Sequence, residues 1–259
     1  MTVAASPVEW FREAFNEEYR LVYAARTNEQ AQDETACIVR ALGIQTGDRV
    51  LDLCCGHGRH LQAFRQRGLS AVGLDLSLPL LREFRDSFAS GAADIVQGDM
   101  RRLPFDGCFD VVVNFFTSFG YFEFEIDHQR VVHELAGTLK PKGRFSLDLM
   151  NAARAVRTLV PTTERQVAGF TVIENRRYDK LRRRIEKDVT LRDTRGETAK
   201  SYTESVRVFS TDEITALLAN AGLRVDRLLG DFTDAPYHDD SARMIILGSK
   251  PPSSRVALS

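Results

Sequence analysis

Three aspartates and a pair of glycines carry the chemistry that this chain announces first. In Val50-Leu51-Asp52-Leu53-Cys54-Cys55-Gly56-His57-Gly58-Arg59-His60 an apolar run ends in a glycine turn, and His60-Leu61-Gln62-Ala63-Phe64 continues as a helix. Glycines at 56 and 58 permit positive φ and close approach of a ligand, while the helix start aims unpaired N–H groups at the same point. Two more acids close apolar runs, Asp75 after Leu69-Ser70-Ala71-Val72-Gly73-Leu74 and Asp99 after Asp94-Ile95-Val96-Gln97-Gly98. Three strand ends are therefore expected to converge on one ligand. A dinucleotide site wants G-x-G-x-x-G, with the third glycine at close helix-strand packing; here that position is Leu61. A ligand without a pyrophosphate fits better. Cys54, Cys55, His57 and His60 are crowded, but adjacent strand-end cysteines point to opposite faces and no second Cys or His pair follows at zinc spacing, so no metal is expected.

S-adenosylmethionine (SAM), with an amino acid tail, sulfonium, ribose and adenine, meets these requirements, and here the sequence resembles the class I SAM-dependent methyltransferases. The resemblance rests on four stretches in order: Leu51 to Gly58, Gly73-Leu74-Asp75-Leu76-Ser77, Gly98-Asp99-Met100 and Leu139-Lys140-Pro141-Lys142-Gly143. It implies SAM as cofactor and S-adenosylhomocysteine as product. It also implies roles: Asp52 and Gly56 on the amino acid tail, Cys54 and Gly58 among the cofactor-binding residues of the same turn, Asp75 on the ribose hydroxyls, Leu76 over one adenine face, Asp99 on the adenine amino group and Met100 along the ring. Asn114 and Phe115 would stand where the methyl group meets its acceptor, and an N-terminal segment with Tyr19, Tyr23 and Arg26 would close over the cofactor. In similar sugar-amine N-methyltransferases a polar residue occupies the place of Tyr121, which makes Tyr121 the candidate for positioning or deprotonating the acceptor. His128 is a second candidate. It falls on the apolar stripe of Val132, Leu135 and Leu139, which also suits a core histidine. Asn114 is followed by Phe115-Phe116-Thr117 rather than Pro-Pro-Tyr, which argues against exocyclic base nitrogens and side-chain amides as acceptors.

These residues need a parallel α/β scaffold. From residue 49 the pattern alternates strand 49–53, helix 59–67, strand 69–74, helix 78–89, strand 94–97, strand 110–114, helix 126–139 and strand 144–150, the rhythm of a doubly wound, mostly parallel, seven-stranded Rossmann-like sheet completed by strands near 223–229 and 242–248. Ligands of such sheets sit outside the carboxyl ends of the strands. Ahead of the core (46–160), residues 1–45 are expected to form a helical cover, with capping boxes at Ser6-Pro7-Val8-Glu9 and Thr27-Asn28-Glu29-Gln30. Residues 161–209 read as an inserted three-stranded antiparallel sheet, a substrate lid or a dimer interface. Residues 210–250 return to the core, starting from a capping box at Ser210, and 251–259 are expected to be a disordered tail.

A chain of 259 residues with 43% apolar content has room for one large domain with an insertion. Its net charge of −1 provides no global attraction to nucleic acid or anionic membrane, and no apolar run reaches the ~20 residues of a membrane span. Four irregularly placed cysteines and no signal-like N-terminus point to a reduced, cytoplasmic protein. The basic cluster Arg176, Arg177, Lys180, Arg182, Arg183 and Arg184 suits either RNA phosphates or a solvated strand face. The expectation is methylation of nitrogen or oxygen in a small molecule, with an RNA methyltransferase and a non-catalytic SAM-binding regulator as the alternatives.

Overall fold

The structure, a computed structural model, describes residues 9–15, 19–23, 26–87 and 94–252, with the side chains of Arg20 and Leu21 excepted. The Ser6 capping box and most of the 251–259 tail lie outside the described residues. In chain order the elements are α1 (Phe11–Ala14), α2 (Tyr19–Val22), α3 (Asn28–Leu42), β1 (Arg49–Leu53), α4 (Arg59–Gln66), β2 (Ser70–Asp75), α5 (Leu78–Ser87), β3 (Ile95–Gln97), β4 (Phe109–Asn114), α6 (Glu125–Thr138) and β5 (Leu139–Met150). They continue as α7 (Ala152–Arg157), β6 (Thr162–Val167), β7 (Phe170–Asp179), β8 (Arg184–Arg192), β9 (Thr198–Arg207), α8 (Thr211–Asn220), β10 (Arg224–Leu229) and β11 (Arg243–Ser249).

The first sheet has seven strands in the order β10-β11-β5-β4-β1-β2-β3. β11 runs antiparallel to both of its neighbours, and the remaining pairs are parallel. Alternation along each strand loads both faces. Leu51, Leu53, Val112 and Ile246 enter one apolar cluster, while Val50, Val111, Val113 and Ile245 enter the other. From β1 the chain winds outward through β2 to β3 and then returns to place β4 on the other side of β1. The crevice at that reversal, beside the carboxyl ends of β1 and β4, is where such sheets bind ligands.

Local chemistry fixes the helix ends. Thr27 and Gln30 form a reciprocal capping box and Gly43 terminates α3 in the left-handed conformation at φ 62°. Ser210 and Glu213 cap α8 in the same way.

The second sheet has four strands in the order β6-β7-β8-β9, one more than the sequence suggests. β6 reads Thr-Thr-Glu-Arg-Gln-Val, an edge strand with a single apolar residue, so the alternation that reveals buried strands is missing. A small cluster of Val22, Val172, Val189 and Leu191 packs α2 against this sheet. The short helix α7 was also unexpected. Its cap Asn151 is buried, and its Nδ2 donates to the carbonyls of His238, Asp239 and Ser241, tying down the loop before β11. Four of the six residues of the basic cluster are paired with carboxylates: Arg176 with Glu174, Arg177 with Asp188 and Glu186, Arg182 with Glu123 and Glu186, and Arg183 with Glu213. No helix among the described residues is long and apolar enough to cross a membrane.

Candidate active site

The turn after β1 is held by β2. Cys54 and Cys55 donate their N–H groups to the carbonyl of Leu74 at 2.7 and 3.0 Å, with Cys54 itself left-handed at φ 64°. Asp75 Oδ2 accepts from Gly56 N–H at 2.8 Å and Oδ1 accepts from Ser77 N–H at 2.8 Å. Gly58, at φ 79°, lies so close to α5 that a Cβ there would stand 2.1 Å from the Phe84 ring. No other residue fits that position.

This turn opens on a cavity lined by Cys54, Gly56, Asp75, Leu76, Asp99, Met100, Phe115, Arg26 and Tyr121, nine of the residues singled out in the sequence. Asp52, Gly58 and Asn114 are not among its lining residues. Asn114 donates to the Leu53 carbonyl at 2.7 Å. Asp52 is 1% exposed, and its Oδ2 has no hydrogen-bond partner among the described residues. Burial, reinforced by the charge of Asp75, pushes the Asp52 pKa up to about 7 against the pull of Arg59. Burial likewise raises Asp75, with the Ser77 and Gly56 N–H groups opposing.

Asp99 behaves differently. Burial would raise it, but Arg101 binds both of its oxygens, Nη2 at 2.6 Å from Oδ2 and Nε at 3.0 Å from Oδ1, and holds the carboxyl below its usual range. Arg101 continues to Glu9 at 2.6 Å and lies 4.7 Å over the Phe122 ring. Arg101 is not among the residues expected at the site, although its spacing two residues from Asp99 is a local signal. His60, whose crowding with Cys54, Cys55 and His57 suggests only a metal ligand, lines the cavity, stacks on Phe115 at 3.9 Å and pairs with Glu34 at 2.7 Å. No cluster of three metal-ligating side chains occurs among the described residues.

A second cavity of about 500 Å³, within the usual range for small-molecule sites, adjoins the first. Phe15, Tyr19, Arg26, Phe116 and Tyr121 line both and so form the wall between them. Tyr121 packs against Trp10 at 4.8 Å and Phe15 at 5.5 Å, and burial drives its phenol pKa well above the usual value. Its ring, rather than a phenolate, is what it offers at neutral pH.

Tyr23 lines only the second cavity. Its hydroxyl lies 2.8 Å from Glu204 Oε2 and 2.6 Å from Lys187 Nζ, and that lysine pairs with Glu204 at 2.8 Å. Glu204 and Lys187 both line this cavity, and neither carries a sequence signal beyond its place on an alternating strand. His128 reaches neither cavity. It is fully buried among Phe119, Phe122 and Phe209, with both ring nitrogens lacking hydrogen-bond partners among the described residues. Burial lowers its pKa to about 4, against the pull of Glu125.

Comparison with known proteins adds to this geometry. Residues 50–143 match the family described as a methyltransferase domain. A putative methyltransferase of Bacillus subtilis, YqeM, is 27% identical over 208 residues, covering 78% of this chain and 84% of the relative. The dTDP-3-amino-3,4,6-trideoxy-alpha-D-glucopyranose N,N-dimethyltransferase of Streptomyces venezuelae is 32% identical over 127 residues, 48% of this chain and 52% of the relative. The fold is shared with SAM-bound CalS10, an amino pentose methyltransferase from Micromonospora echinaspora, at a TM-score of 0.68 and 21% identity, covering 90% of this chain and 97% of that one.

Proposed function

We propose that this chain, which belongs to the class I SAM-dependent methyltransferases, transfers a methyl group to an amine nitrogen of a small molecule held in the second cavity. The observation that supports the reading is the aromatic set Phe15, Tyr19, Phe116 and Tyr121, common to the cavity at the β1 turn and a second one of metabolite size.

The residues present fit the cofactor. Asp52 Oδ2 is a buried carboxylate oxygen with no partner among the described residues, suited to the ammonium of an amino acid tail. A Cβ at Gly56 would meet only Leu80, at 3.8 Å, so the turn leaves room beside it. Asp75, fixed by two backbone N–H groups, keeps acceptor capacity for ribose hydroxyls, each hydrogen bond to its charge contributing roughly 1.5–3 kcal/mol. When bound, SAM supplies a methyl carbon already activated by the sulfonium charge.

The chain's own work is alignment and exclusion of water. Holding acceptor and methyl carbon in line contributes roughly 7–11 kcal/mol in well-oriented systems. Phe15 and Tyr121 would offer ring faces to a sulfonium at roughly 0.5–2 kcal/mol each and keep water from the reacting carbon, while the Phe116 ring already carries Arg26 at 3.9 Å. Glu204 already carries Lys187 and Tyr23 and shares the cavity lining with Arg26, Arg176 and Arg243, so the choice of a nitrogen acceptor rests on the relatives. The N,N-dimethyltransferase relative supports that choice.

Purified protein incubated with isotopically labelled SAM, in one arm with a metabolite extract and in another with bulk RNA, tests the reading. Label in small-molecule amines is expected. Label confined to RNA would overturn the acceptor class, and SAM binding without any labelling would favour a regulator.

A further inference from the structure

Arg184 opens β8 with its guanidinium inside the protein, 3% exposed; among the described residues it forms no ion pair with a carboxylate, and Glu123 and Glu186 attract it only from farther off. An unpaired buried charge is costly, and burial lowers its pKa from the usual arginine value. What compensates is a full set of hydrogen bonds to neutral groups. Nε donates to Ser205 Oγ at 2.7 Å, and Nη2 donates to the Ser205 carbonyl at 2.7 Å. Nη1 donates to the Phe122 carbonyl at 2.8 Å, and Nη2 also faces the carbonyls of Tyr121 at 3.2 Å and Gly120 at 3.4 Å.

One side chain of the second sheet thus holds three consecutive carbonyls of the segment that carries Tyr121 and Phe122 into the cofactor cavity. Two other contacts converge there. Arg207 N–H donates to the Gly120 carbonyl at 2.8 Å, with the segment so close to β9 that a Cβ at Gly120 would stand 2.6 Å from the Arg207 carbonyl. Trp10 Nε1 donates at 3.0 Å to the same Ser205 carbonyl that Arg184 binds, and its ring packs on Tyr121. Only a planar fork with five donors spans these acceptors; an ammonium in its place reaches some of them.

We infer that Arg184 is a positioning residue for methyl transfer, fixing the Gly120–Phe122 backbone to the second sheet so that the Tyr121 ring stands in the wall between the two cavities. The inference rests on the reading of those cavities as cofactor and acceptor sites. It also assigns the second sheet a part in the reaction that is separate from covering the acceptor.

The test compares wild type with Arg184→Met and Arg184→Lys in three readouts: S-adenosylhomocysteine affinity by calorimetry, labelled methyl transfer into metabolite extract at saturating SAM, and emission of Trp10, the chain's single tryptophan. In Arg184→Met, transfer is expected to fall roughly 10–100-fold, as for a wall displaced by about an ångström, while affinity stays within about threefold. Arg184→Lys recovers part of the loss, and Trp10 emission in the Arg184→Met complex moves to the red. Wild-type transfer and emission in folded Arg184→Met would overturn the inference, as would affinity falling in step with transfer. Should Arg184→Met not fold, Arg184→Lys carries the same comparison with a smaller effect. A wild type that binds S-adenosylhomocysteine but labels nothing counts against the methyl-transfer reading itself, and Trp10 emission then decides the role of Arg184.

Discussion

Asp75 Oδ2 accepts a hydrogen bond from the backbone N–H of Gly56 at 2.8 Å, so the end of β2 holds the glycine turn that follows β1. Under the proposed function the same carboxylate would serve both the protein and its cofactor. Asp75→Ala is expected to weaken S-adenosylhomocysteine binding by ~1–3 kcal/mol and to lower the melting temperature as well, because the Gly56 and Ser77 N–H groups lose their acceptor. Asp75→Asn keeps one acceptor oxygen and should recover part of both. Parallel calorimetry and thermal melts check this, and weakened binding at an unchanged melting temperature would leave Asp75 with the ligand alone.

Asp52 gives cofactor binding a pH dependence. With a pKa of about 7 it is largely protonated at pH 6 in the free protein, and an approaching ammonium favours its ionised form. Binding should release a proton at pH 6 and none at pH 8.5, with affinity weakening below pH 7 by up to about tenfold per pH unit. Calorimetry in buffers of different ionisation enthalpy reads the proton directly. Asp52→Asn should bind weakly at every pH, with the dependence flattened.

His128 makes the fold acid-sensitive. Its pKa is about 4 in the folded protein and ~6.5 in an unfolded chain, so between those values the unfolded state binds more protons. Its contribution is fully present above pH 6.5 and is lost as pH falls toward 4, to a limit of about 3 kcal/mol at 1.36 kcal/mol per decade. Chemical denaturation of wild type and His128→Leu at pH 7.5 and 4.5 isolates it: the wild type should lose more stability on acidification than the variant.

The geometry of Tyr121 separates ring from hydroxyl. Its phenol is held neutral by burial and its ring is packed between Trp10 and Phe15. Tyr121→Phe should keep methyl transfer within about threefold, whereas Tyr121→Ala should lose roughly 10–100-fold by opening the wall. Steady-state rates with any labelled acceptor decide the matter, and a large loss in Tyr121→Phe would return the hydroxyl to the mechanism.

The cofactor half of this site is written locally. Asp52, Asp75 and Asp99 close apolar runs, and the glycines at 56 and 58 mark the turn, so period and punctuation alone place them. The second sheet is written across strands. Arg177 finds Asp188 and Glu186 only because β7 pairs with β8 in a particular register, which makes ion pairs of what reads along the chain as a run of positive charge. Arg184 and Glu204 acquire their surroundings in the same way, from the pairing of β8 with β9 and from the segment at 120–122. His128 shows the converse: its place on an apolar helical stripe already described a core residue, and the structure puts it in the core.

The acceptor is expected to enter the second cavity and to meet the methyl carbon directly where the two cavities join, beside the residues that line both. Ala155, on α7, lines the second cavity and not the first. Ala155→Trp fills acceptor space without touching the cofactor cradle. The decisive measurement is labelled methyl transfer by Ala155→Trp alongside its affinity for S-adenosylhomocysteine. Affinity within about threefold of wild type, with transfer reduced more than about tenfold, is the predicted result. Unchanged affinity with unchanged transfer would contradict it and place the acceptor elsewhere.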